Sequence, residues 1–374
     1  MRRRRIHPSR MRAAVAALLC FALTPLPGIA SGIWYTFTEQ SVPEELGFLV
    51  SEDTFTGDVN MTFLGDCTLG SEESKKNYPI GYIRRITQNG MDFPMRYLSA
   101  KTAADDLTVA NLECVLTDRA LQKVDKRFNF SGPTAFTGIL TAGSIECVTL
   151  ANNHTHDYGE EGYQDTRNAL EAAGVSYFGT DCVALWQHES GLRIGFTGVS
   201  NSLSGNRSKR FARQVELLRS LGCAAIITVM HAGTEYSFTP DRYQKQITDR
   251  ALKNGVDLVV GHHPHVVQGY EILGDMPVIY SLGNCSYGGV TYVRDPDAMV
   301  LGVEMHFSEG ALEGMTLRFH PISITSDEKY NNYSPRFLSG KEAERVLKKM
   351  ENSTGNGFGE FTEAGGAPVE FRKK

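Results

Sequence analysis

The sequence Val256-Asp257-Leu258-Val259-Val260-Gly261-His262-His263-Pro264-His265 joins an apolar run directly to three imidazoles. A short apolar run that ends at a glycine is typical of a buried parallel strand, so we predict a strand that ends at the histidines. Imidazole is the commonest metal-binding side chain, and Pro264 fixes the backbone between His263 and His265. A polar loop that is rich in histidine is the alternative interpretation. Three histidines together favour a metal site, because α/β folds bind ligands at strand ends.

The overall composition is that of an ordinary globular protein. The chain has 374 residues, of which 41% are hydrophobic and 22% are charged, and this length suits one large α/β domain with additions or two modest domains. The formal net charge is -5, and the body of the chain has no basic helix stripe with interleaved aromatic residues. The composition therefore argues against nucleic acid as a partner.

The amino-terminal residues have the pattern of an export signal. Several arginines between Arg2 and Arg12 precede an apolar stretch from Ala13 to Leu26, as in a secretory signal peptide or a signal anchor. We expect residues 1–30 to be this signal and residues 31–56 to be a linker. The remainder should be exported, either held at the extracellular face of the cytoplasmic membrane or secreted after cleavage.

The cysteines do not show a disulfide pattern. Six cysteines follow Cys20, an even number that would suit three bridges in an oxidising compartment. Their spacing is irregular and several lie in or beside apolar runs. We predict that most are buried and unpaired, with a bridge between Cys67 and Cys114 as the alternative.

One pattern recurs along the chain: a short apolar run followed by polar or ionisable residues. The six examples are Met61–Leu64 before Asp66, Leu107–Ala110 before Glu113, Cys147–Ala151 before Asn153, Ala225–Met230 before His231, Val256–Val260 before the histidines, and Val278–Leu282 before Asn284. Helical spacing of apolar residues predicts helices over 162–173, 209–221 and 240–254, the last with Thr239 as its N-cap. Further strands are predicted over 192–196 and 299–318.

Strands that alternate with helices predict a largely parallel α/β core, which we place at residues 57–325. Residues 326–374 are more polar and should form a C-terminal extension. We expect one short helix in it, near 341–350, and a disordered tail from residue 352.

The six strand ends should meet in one cleft, because ligands bind beyond the carboxyl ends of strands in α/β sheets. Taken singly, each polar residue has a structural explanation, such as an Asx turn for Asp66. The repeated placement favours a shared site instead. Oxygen and nitrogen ligands together suit Mn, Fe or Zn, and no cysteine occupies a motif position, which argues against a structural zinc site. The convergent residues are Asp66, Glu113, Asn153, His154, His231, His263 and His265.

The order of the motifs resembles that of the CapA family of bacterial capsule and poly-γ-glutamate biosynthesis proteins. The resemblance covers roughly Met61 to Ile324 and includes Leu64-Gly65-Asp66, Asn111-Leu112-Glu113, Leu150–Gly159, His231–Tyr236, Gly261–His265 and Tyr280–Asn284. It implies a calcineurin-like metallophosphatase fold, which is a four-layer αββα sandwich. It also implies a membrane-associated role on the outer side of the cell.

The resemblance assigns a role to each convergent residue. Two divalent ions are implied, one held by Asp66, Glu113 and His265, and the other by Asn153, His231 and His263, with a carboxylate between them. His154 would donate a proton to a leaving group, which is the work of an imidazole with a near-neutral pKa. The residues that would orient these groups are Asp157, Glu235, His262 and Asn284.

Two departures from the metallophosphatase pattern bear on function. The usual Asp-x-His motif is Asp66-Cys67-Thr68 here, and the usual bridging Asp is Glu113, so a site with fewer than two ions is left open. One expected function is a metal-dependent hydrolase of a phosphoester or a polymer amide. The alternative is a non-catalytic accessory component that binds an anionic capsule polymer, such as poly-γ-glutamate, beside membrane biosynthesis and export proteins. The family implies a pathway more firmly than a reaction.

Overall fold

The computed structural model describes residues 32–48 and 55–373. The strands of these residues are β1 (Gly32–Phe37), β2 (Gly57–Thr68), β3 (Leu107–Leu112), β4 (Val115–Leu116), β5 (Ser131–Gly132), β6 (Cys147–Thr149), β7 (Ser176–Phe178), β8 (Val183–His188), β9 (Arg193–Ser200), β10 (Cys223–His231), β11 (Leu258–His262), β12 (Val267–Leu273), β13 (Met276–Leu282), β14 (Asn284–Tyr287), β15 (Asp297–Ser308), β16 (Ala311–Ser323), β17 (Arg336–Phe337) and β18 (Ala367–Arg372). The helices are α1 (Glu44–Phe48), α2 (Tyr82–Asn89), α3 (Ser99–Thr102), α4 (Thr137–Ala142), α5 (Gly159–Ala172), α6 (Gly205–Ser220), α7 (Arg242–Lys253) and α8 (Gly340–Thr354).

Two mixed β-sheets form the centre of the molecule. The seven-stranded sheet has the order β1-β8-β9-β10-β11-β13-β12, and its middle strands β9, β10, β11 and β13 are parallel. The nine-stranded sheet has the order β17-β16-β15-β2-β3-β6-β7, with β14 beside β2 and β18 beside β16. Strands β2, β3, β6 and β7 are parallel, while β15 runs antiparallel to β2 and β16 antiparallel to β15.

Three groups of buried apolar side chains separate four layers. The largest lies between the two sheets and joins Phe63 and Leu301 of one sheet to Trp186 and Ile227 of the other. A second packs the outer face of the nine-stranded sheet against helices such as α4 and α5. A third packs the seven-stranded sheet against α6 and α7. The αββα sandwich that the motifs implied is therefore the observed architecture.

The six predicted core strands are all present, as β2, β3, β6, β10, β11 and β13. They divide equally between the two sheets. The predicted helices correspond to α5, α6 and α7, but Thr239 is not the N-cap of α7. Asp241 takes that place, because its carboxylate accepts from the backbone of Tyr243 and Gln244 in a capping box.

Two predictions about the chain ends need correction. Gly32–Phe37 is not part of a linker, since it pairs antiparallel with β8 as the edge strand β1. The C-terminal residues contain the predicted helix, as α8, but the tail from residue 352 is not disordered. It returns as β18 and pairs with β16 from Gly314 to Phe319, because its alternate side chains, Ala367 and Phe371, are buried in the core between the sheets.

The predicted signal, residues 1–30, lies outside the described residues. Among the residues that the structure covers, no helix is both long and apolar enough to cross a bilayer. The six cysteines after Cys20 are all buried and unbridged, as predicted from their spacing, and the alternative bridge between Cys67 and Cys114 is absent.

Candidate metal centre

The site lies where the carboxyl ends of the parallel strands of both sheets meet. The chain passes from one sheet to the other at Gly283, which connects β13 to β14, and β14 then pairs with β2 so that Asn284 lies beside Asp66. This crossing brings two backbones together: Asp66 N donates to Gly283 O at 3.0 Å. A Cβ atom at Gly65 would stand only 2.3 Å from that same oxygen, so glycine is required there.

Asp66, at the end of β2, is fully buried and well supplied with hydrogen-bond donors. Asn111 Nδ2 donates to its Oδ1 at 2.7 Å, and His263 N donates to its Oδ2 at 3.3 Å. Nδ1 of His262 and Nδ1 of His265 lie 3.1 Å and 3.2 Å from its two oxygens. Burial disfavours the charge of Asp66, but these imidazoles outweigh it and hold the pKa of the carboxyl well below its usual range.

Glu113, which follows β3, is equally buried but has no such partners. Neither carboxyl oxygen receives a hydrogen bond from the described residues. Its Oε1 lies 3.3 Å from His231 Nε2 and 4.0 Å from His265 Nε2. Burial, together with the charge of Asp66, raises the pKa of Glu113 well above its usual value. An unpartnered buried carboxyl is costly, so Glu113 is suited to bind a cation.

His231, the last residue of β10, stands between the two carboxylates. Its Nδ1 accepts from Asn111 Nδ2 at 3.0 Å, which places the ring proton on Nε2. Three acceptor atoms surround that one proton: Asn153 Oδ1 at 2.7 Å, His263 Nδ1 at 3.1 Å and Glu113 Oε1 at 3.3 Å. Burial and the adjacent His263 lower the pKa of His231 well below its usual value. The ring is therefore neutral, which is the form that binds metals.

The backbone of the Gly-His-His-Pro-His segment is strained. His263 and His265 have φ values of 97° and 57°, in the left-handed region that non-glycine residues rarely adopt. Hydrogen bonds hold the segment in place, among them Tyr236 N to Pro264 O at 2.8 Å and Asn284 Nδ2 to His265 O at 3.4 Å. Strain of this kind, about 1–3 kcal/mol per residue, is concentrated at functional sites.

The two histidines of this segment have opposite pKa shifts. Burial and the charge of His265 lower the pKa of His263 to about 4. Burial also opposes the charge of His265, but the carboxylates of Glu113 and Asp66 outweigh it and raise the pKa of His265 to about 10. His265 is thus electrostatically coupled to the two buried carboxyl groups that it lies against.

His154 lies at the rim of this cluster with partners of its own. Its Nδ1 donates to Asp157 Oδ2 at 2.8 Å, and the other ring nitrogen, Nε2, has no hydrogen bond to the described residues. Asp157 is fully buried and forms an ion pair with Lys126, whose Nζ also lies 3.3 Å from His154 Nδ1. The ring of Phe130 contacts that of His154 with centroids 4.5 Å apart. Burial lowers the pKa of His154, and Asp157 offsets part of that effect.

The structure brings together every residue predicted to bind metal. In the set expected for one ion, His265 lies 3.2 Å from Asp66 and 4.0 Å from Glu113. The set for the other ion is joined through His231. Of the predicted orienting residues, Asn284 accepts from His265 Nδ1 at 2.8 Å. His262 contacts Asp66, and Asp157 supports His154 rather than a metal ligand. Glu235 is exposed, and its charge raises the pKa values of Glu113 and His263, so its orienting role stays a prediction.

Three further residues were missed by sequence reasoning. Asn111 bridges Asp66 and His231, and Asn152 supports Asn111 by donating to its Oδ1 at 3.0 Å. Both amides lie in motifs whose predicted site residue is a neighbour: Glu113 for Asn111, and Asn153 for Asn152. Lys126 lies in the connection between β4 and β5, which has no regular spacing, and nothing in the sequence indicated that it reaches His154.

The donor set fits a divalent cation. Glu113, His263 and His265 each offer one ligand atom within 4.8 Å of the others, and the unpartnered oxygens of Glu113 supply the negative charge. A second group, Asp58, Glu304 and His306, also meets this distance. It is at least partly exposed and lies away from the strand ends, and exposed carboxylates cluster without binding ions.

The sequence of this chain matches a known family of bacterial proteins. Residues 60–287 match the family model of the bacterial capsule synthesis protein PGA_cap. The chain is 27% identical over 265 residues to the capsule biosynthesis protein CapA of Bacillus anthracis, covering 63% of this chain and 62% of that protein. It is also 27% identical to the PGA biosynthesis protein CapA of Bacillus subtilis (strain 168), covering 65% and 67%. The aligned part thus spans less than two thirds of the Bacillus anthracis protein.

Solved structures were compared as well. The crystal structure of TT1561 of Thermus thermophilus covers 66% of this chain and 94% of its own, at 13% identity and a TM-score of 0.40. The 5'-nucleotidase from Candida albicans SC5314 covers 80% and 58%, at 12% identity and a TM-score of 0.38. The family assignment rests on the sequence match, which takes in every residue of the metal centre from Asp66 to Asn284. The chain belongs to the family of bacterial capsule synthesis proteins.

Proposed function

We propose that this protein is an exported, metal-dependent hydrolase of capsule or poly-γ-glutamate biosynthesis. One observation carries the proposal: a buried cluster of carboxylates and imidazoles, with Glu113 unpartnered, adjoins the supported imidazole of His154. A cluster that only stabilised the fold would pair its buried carboxyls. A site that only bound a cation would have no use for a supported imidazole at its rim.

The ligands for the cation are the residues already in contact. Asp66, Glu113 and His265 would hold one divalent ion, and Asn153, His231 and His263 a second, with Glu113 near both groups. Mn, Fe and Zn suit this mixture of oxygen and nitrogen donors. A bound divalent ion supplies a Lewis acid here and lowers the pKa of water that it holds.

His154 would provide the proton for the leaving group. In hydrolysis, water adds to the phosphorus or carbonyl carbon, and the bond to the leaving oxygen or nitrogen breaks. That atom needs a proton, which Nε2 of His154 can give, because Nδ1 is held by Asp157. Burial lowers the pKa of His154 in the free protein, and an anionic substrate beside the ring would raise it again. The proton would then be taken up together with the substrate.

A second candidate function is a non-catalytic role in handling the polymer. A relative in Mycobacterium tuberculosis (strain ATCC 25618 / H37Rv), 26% identical over 220 residues, is described as a probable polyglutamine synthesis accessory protein. Thr68, where metallophosphatases carry a histidine, is buried and donates only to the backbone oxygen of Glu113 at 3.3 Å. This missing ligand is the observation that favours the accessory role.

The decisive experiment measures metal content and turnover together. Elemental analysis of the purified protein should find one or two divalent ions per chain, and activity on a phosphodiester or on poly-γ-glutamate should disappear with a chelator. His154→Ala should retain the metal but lose about 100- to 10,000-fold in kcat, as expected for the loss of a proton donor.

His156→Ala is the matched control, because that imidazole is exposed two residues away, and its kcat should stay within about twofold of the parent. If the purified protein binds no divalent metal under any condition tested, the proposal of a metal-dependent hydrolase is contradicted. Metal without turnover, but with polymer binding, supports the accessory role.

A further inference from the structure

A cavity adjoins the metal centre on the side of the seven-stranded sheet. It has a volume of about 300 Å³ and lies at the carboxyl end of β9, beneath the start of α6. Its wall includes Asn152, whose Oδ1 accepts from His154 N at 3.0 Å, and Ser200, which pairs with His231 across β9 and β10. Asn201 N donates to His231 O at 3.0 Å, so the wall of the cavity and a metal ligand share one backbone contact.

The charge of this cavity is entirely positive. Arg207 and Arg210 project from the first turns of α6, and no carboxylate lines the cavity. Each guanidinium makes one long hydrogen bond, Arg207 to Ser202 Oγ at 3.3 Å and Arg210 to Thr180 O at 3.4 Å. Within the described residues, neither arginine forms an ion pair. Most of their donors therefore remain available to a ligand.

A buried hydroxyl and a helix end add to this surface. Ser200 is 8% exposed, and its Oγ has no hydrogen-bond partner among the described residues. A buried hydroxyl without a partner is costly unless a ligand or water satisfies it. The amino end of α6, a helix of 16 residues, contributes backbone N–H groups and a partial positive charge. Three independent features thus favour a bound anion.

We propose that this cavity, lined by Arg207, Arg210 and Ser200, binds a carboxylate of an acidic polymer whose neighbouring unit lies at the metal centre. The choice of polymer, a polyglutamate, rests on the proposed function. The recognition of a carboxylate rests on the side chains of the cavity. Two arginines suit a carboxylate because each guanidinium can donate two parallel hydrogen bonds to it. The cavity would set which link of the chain stands beside His154.

The test compares two double substitutions with the same change in charge. Arg207→Gln with Arg210→Gln removes both cations of the cavity. Lys209→Gln with Lys253→Gln removes two exposed cations from the same helix layer, which do not line the cavity. Binding of labelled poly-γ-glutamate of defined length is measured in the presence of a chelator, so that the result does not depend on the metal centre. Thermal unfolding confirms that all variants are folded.

The arginine pair should weaken polymer binding by about tenfold or more, and the lysine pair by less than about twofold. Arg207→Lys with Arg210→Lys should restore part of the affinity, because the charge is kept while the paired geometry is lost. Equal losses in the arginine and lysine pairs would overturn the proposal. Binding of inorganic phosphate that depends on the arginines, with no binding of the polymer, would overturn it too.

The result is separate from the outcome for hydrolysis. A protein without turnover still reports whether the cavity binds the polymer, and the hydrolase proposal then fails alone. An active protein whose affinity and KM are unaffected by the arginine pair leaves the hydrolase intact and removes the cavity from it.

Discussion

Asp66 and Glu113 stand at the ends of the neighbouring strands β2 and β3, and both are fully buried. Asp66 accepts hydrogen bonds and lies against several imidazoles, whereas the oxygens of Glu113 have no hydrogen-bond partner among the described residues. Their pKa values accordingly move in opposite directions. Burial alone does not determine the charge of a carboxyl; the partners do. The carboxylate at the end of β2 is satisfied by side chains of the protein, while the carboxyl group at the end of β3 is available to a cation.

The largest expected effect of substituting either carboxylate is on the affinity for metal. Asp66→Asn and Glu113→Gln should each weaken metal binding by more than about 100-fold, which exceeds the range for residues that only orient a ligand. The measurement is competition against a metal indicator. Glu189→Gln, at an exposed position, is the control with the same loss of charge. An affinity unchanged by Glu113→Gln would remove Glu113 from the ligands.

Substitution of Asp66 and substitution of Glu113 should have opposite effects on the stability of the protein in the absence of metal. Asp66→Asn should lower the free energy of unfolding by about 2 kcal/mol, because its buried donors and imidazoles lose their acceptor. Glu113→Gln should raise it, because the substitution removes a carboxyl group that is disfavoured first by its burial and then by the charge of Asp66. Urea denaturation in the presence of a chelator measures both. Equal destabilisation by the two substitutions would show that Glu113 has a partner in solution.

Asp157 is a third buried carboxylate, and it is paired with a cation. Lys126→Met should lower kcat by about tenfold, within the range for residues that orient catalytic groups. It should also raise the pKa of His154. In the parent protein, burial and the positive charge of Lys126 both lower that pKa, and the substitution removes the charge. For a proton donor, the alkaline limb of the pH profile then moves to higher pH. Lys123→Met, exposed in the same connection, should leave the profile in place.

His320 tests the same rule far from the site and with a smaller effect. It is 3% exposed and its Nε2 has no hydrogen-bond partner among the described residues. Burial, with the charges of Lys101 and Arg318, lowers its pKa from 6.5 to about 4. Between these values the unfolded chain binds a proton that the folded chain does not, so stability falls as the pH falls.

The expected slope from His320 is at most about 1.4 kcal/mol per pH unit. Subtracting the unfolding free energies of His320→Gln from those of the parent should isolate it between about pH 6 and pH 4.5. His156→Gln, at an exposed histidine, should leave the slope unchanged. A parent and a His320→Gln variant with parallel pH dependence would show that this imidazole titrates normally.

The sequence was informative where a local pattern determines the structure. Apolar runs that end in polar residues predicted the six core strands and their shared cleft, because strand ends are where such folds bind ligands. The same reasoning does not show that three of these strands belong to each sheet. That division depends on long-range packing, such as that of Phe63 against the opposite sheet.

The failures have a common physical origin. Lys126 reaches His154 through an irregular connection. Strands β1 and β18 lie at sheet edges, and their strand-forming residues become strands through pairing with β8 and β16, which are distant in sequence. The segment of β18 is ordered by its pairing with β16 and by the burial of Ala367 and Phe371 in the core between the sheets. Propensity is a weak guide where tertiary contacts supply most of the stability.

The position of β2 in its sheet also affects how the chain reaches this structure. Its first half pairs with β15, which begins more than two hundred residues later, and its last residues pair with β14. When the chain is made from its amino end, β2 therefore has an unpaired edge until β14 and β15 have also been made. Contacts of such long range slow folding and prolong exposure of apolar edges. Fragments that end before β15 should accordingly be prone to aggregation, however complete their set of metal ligands.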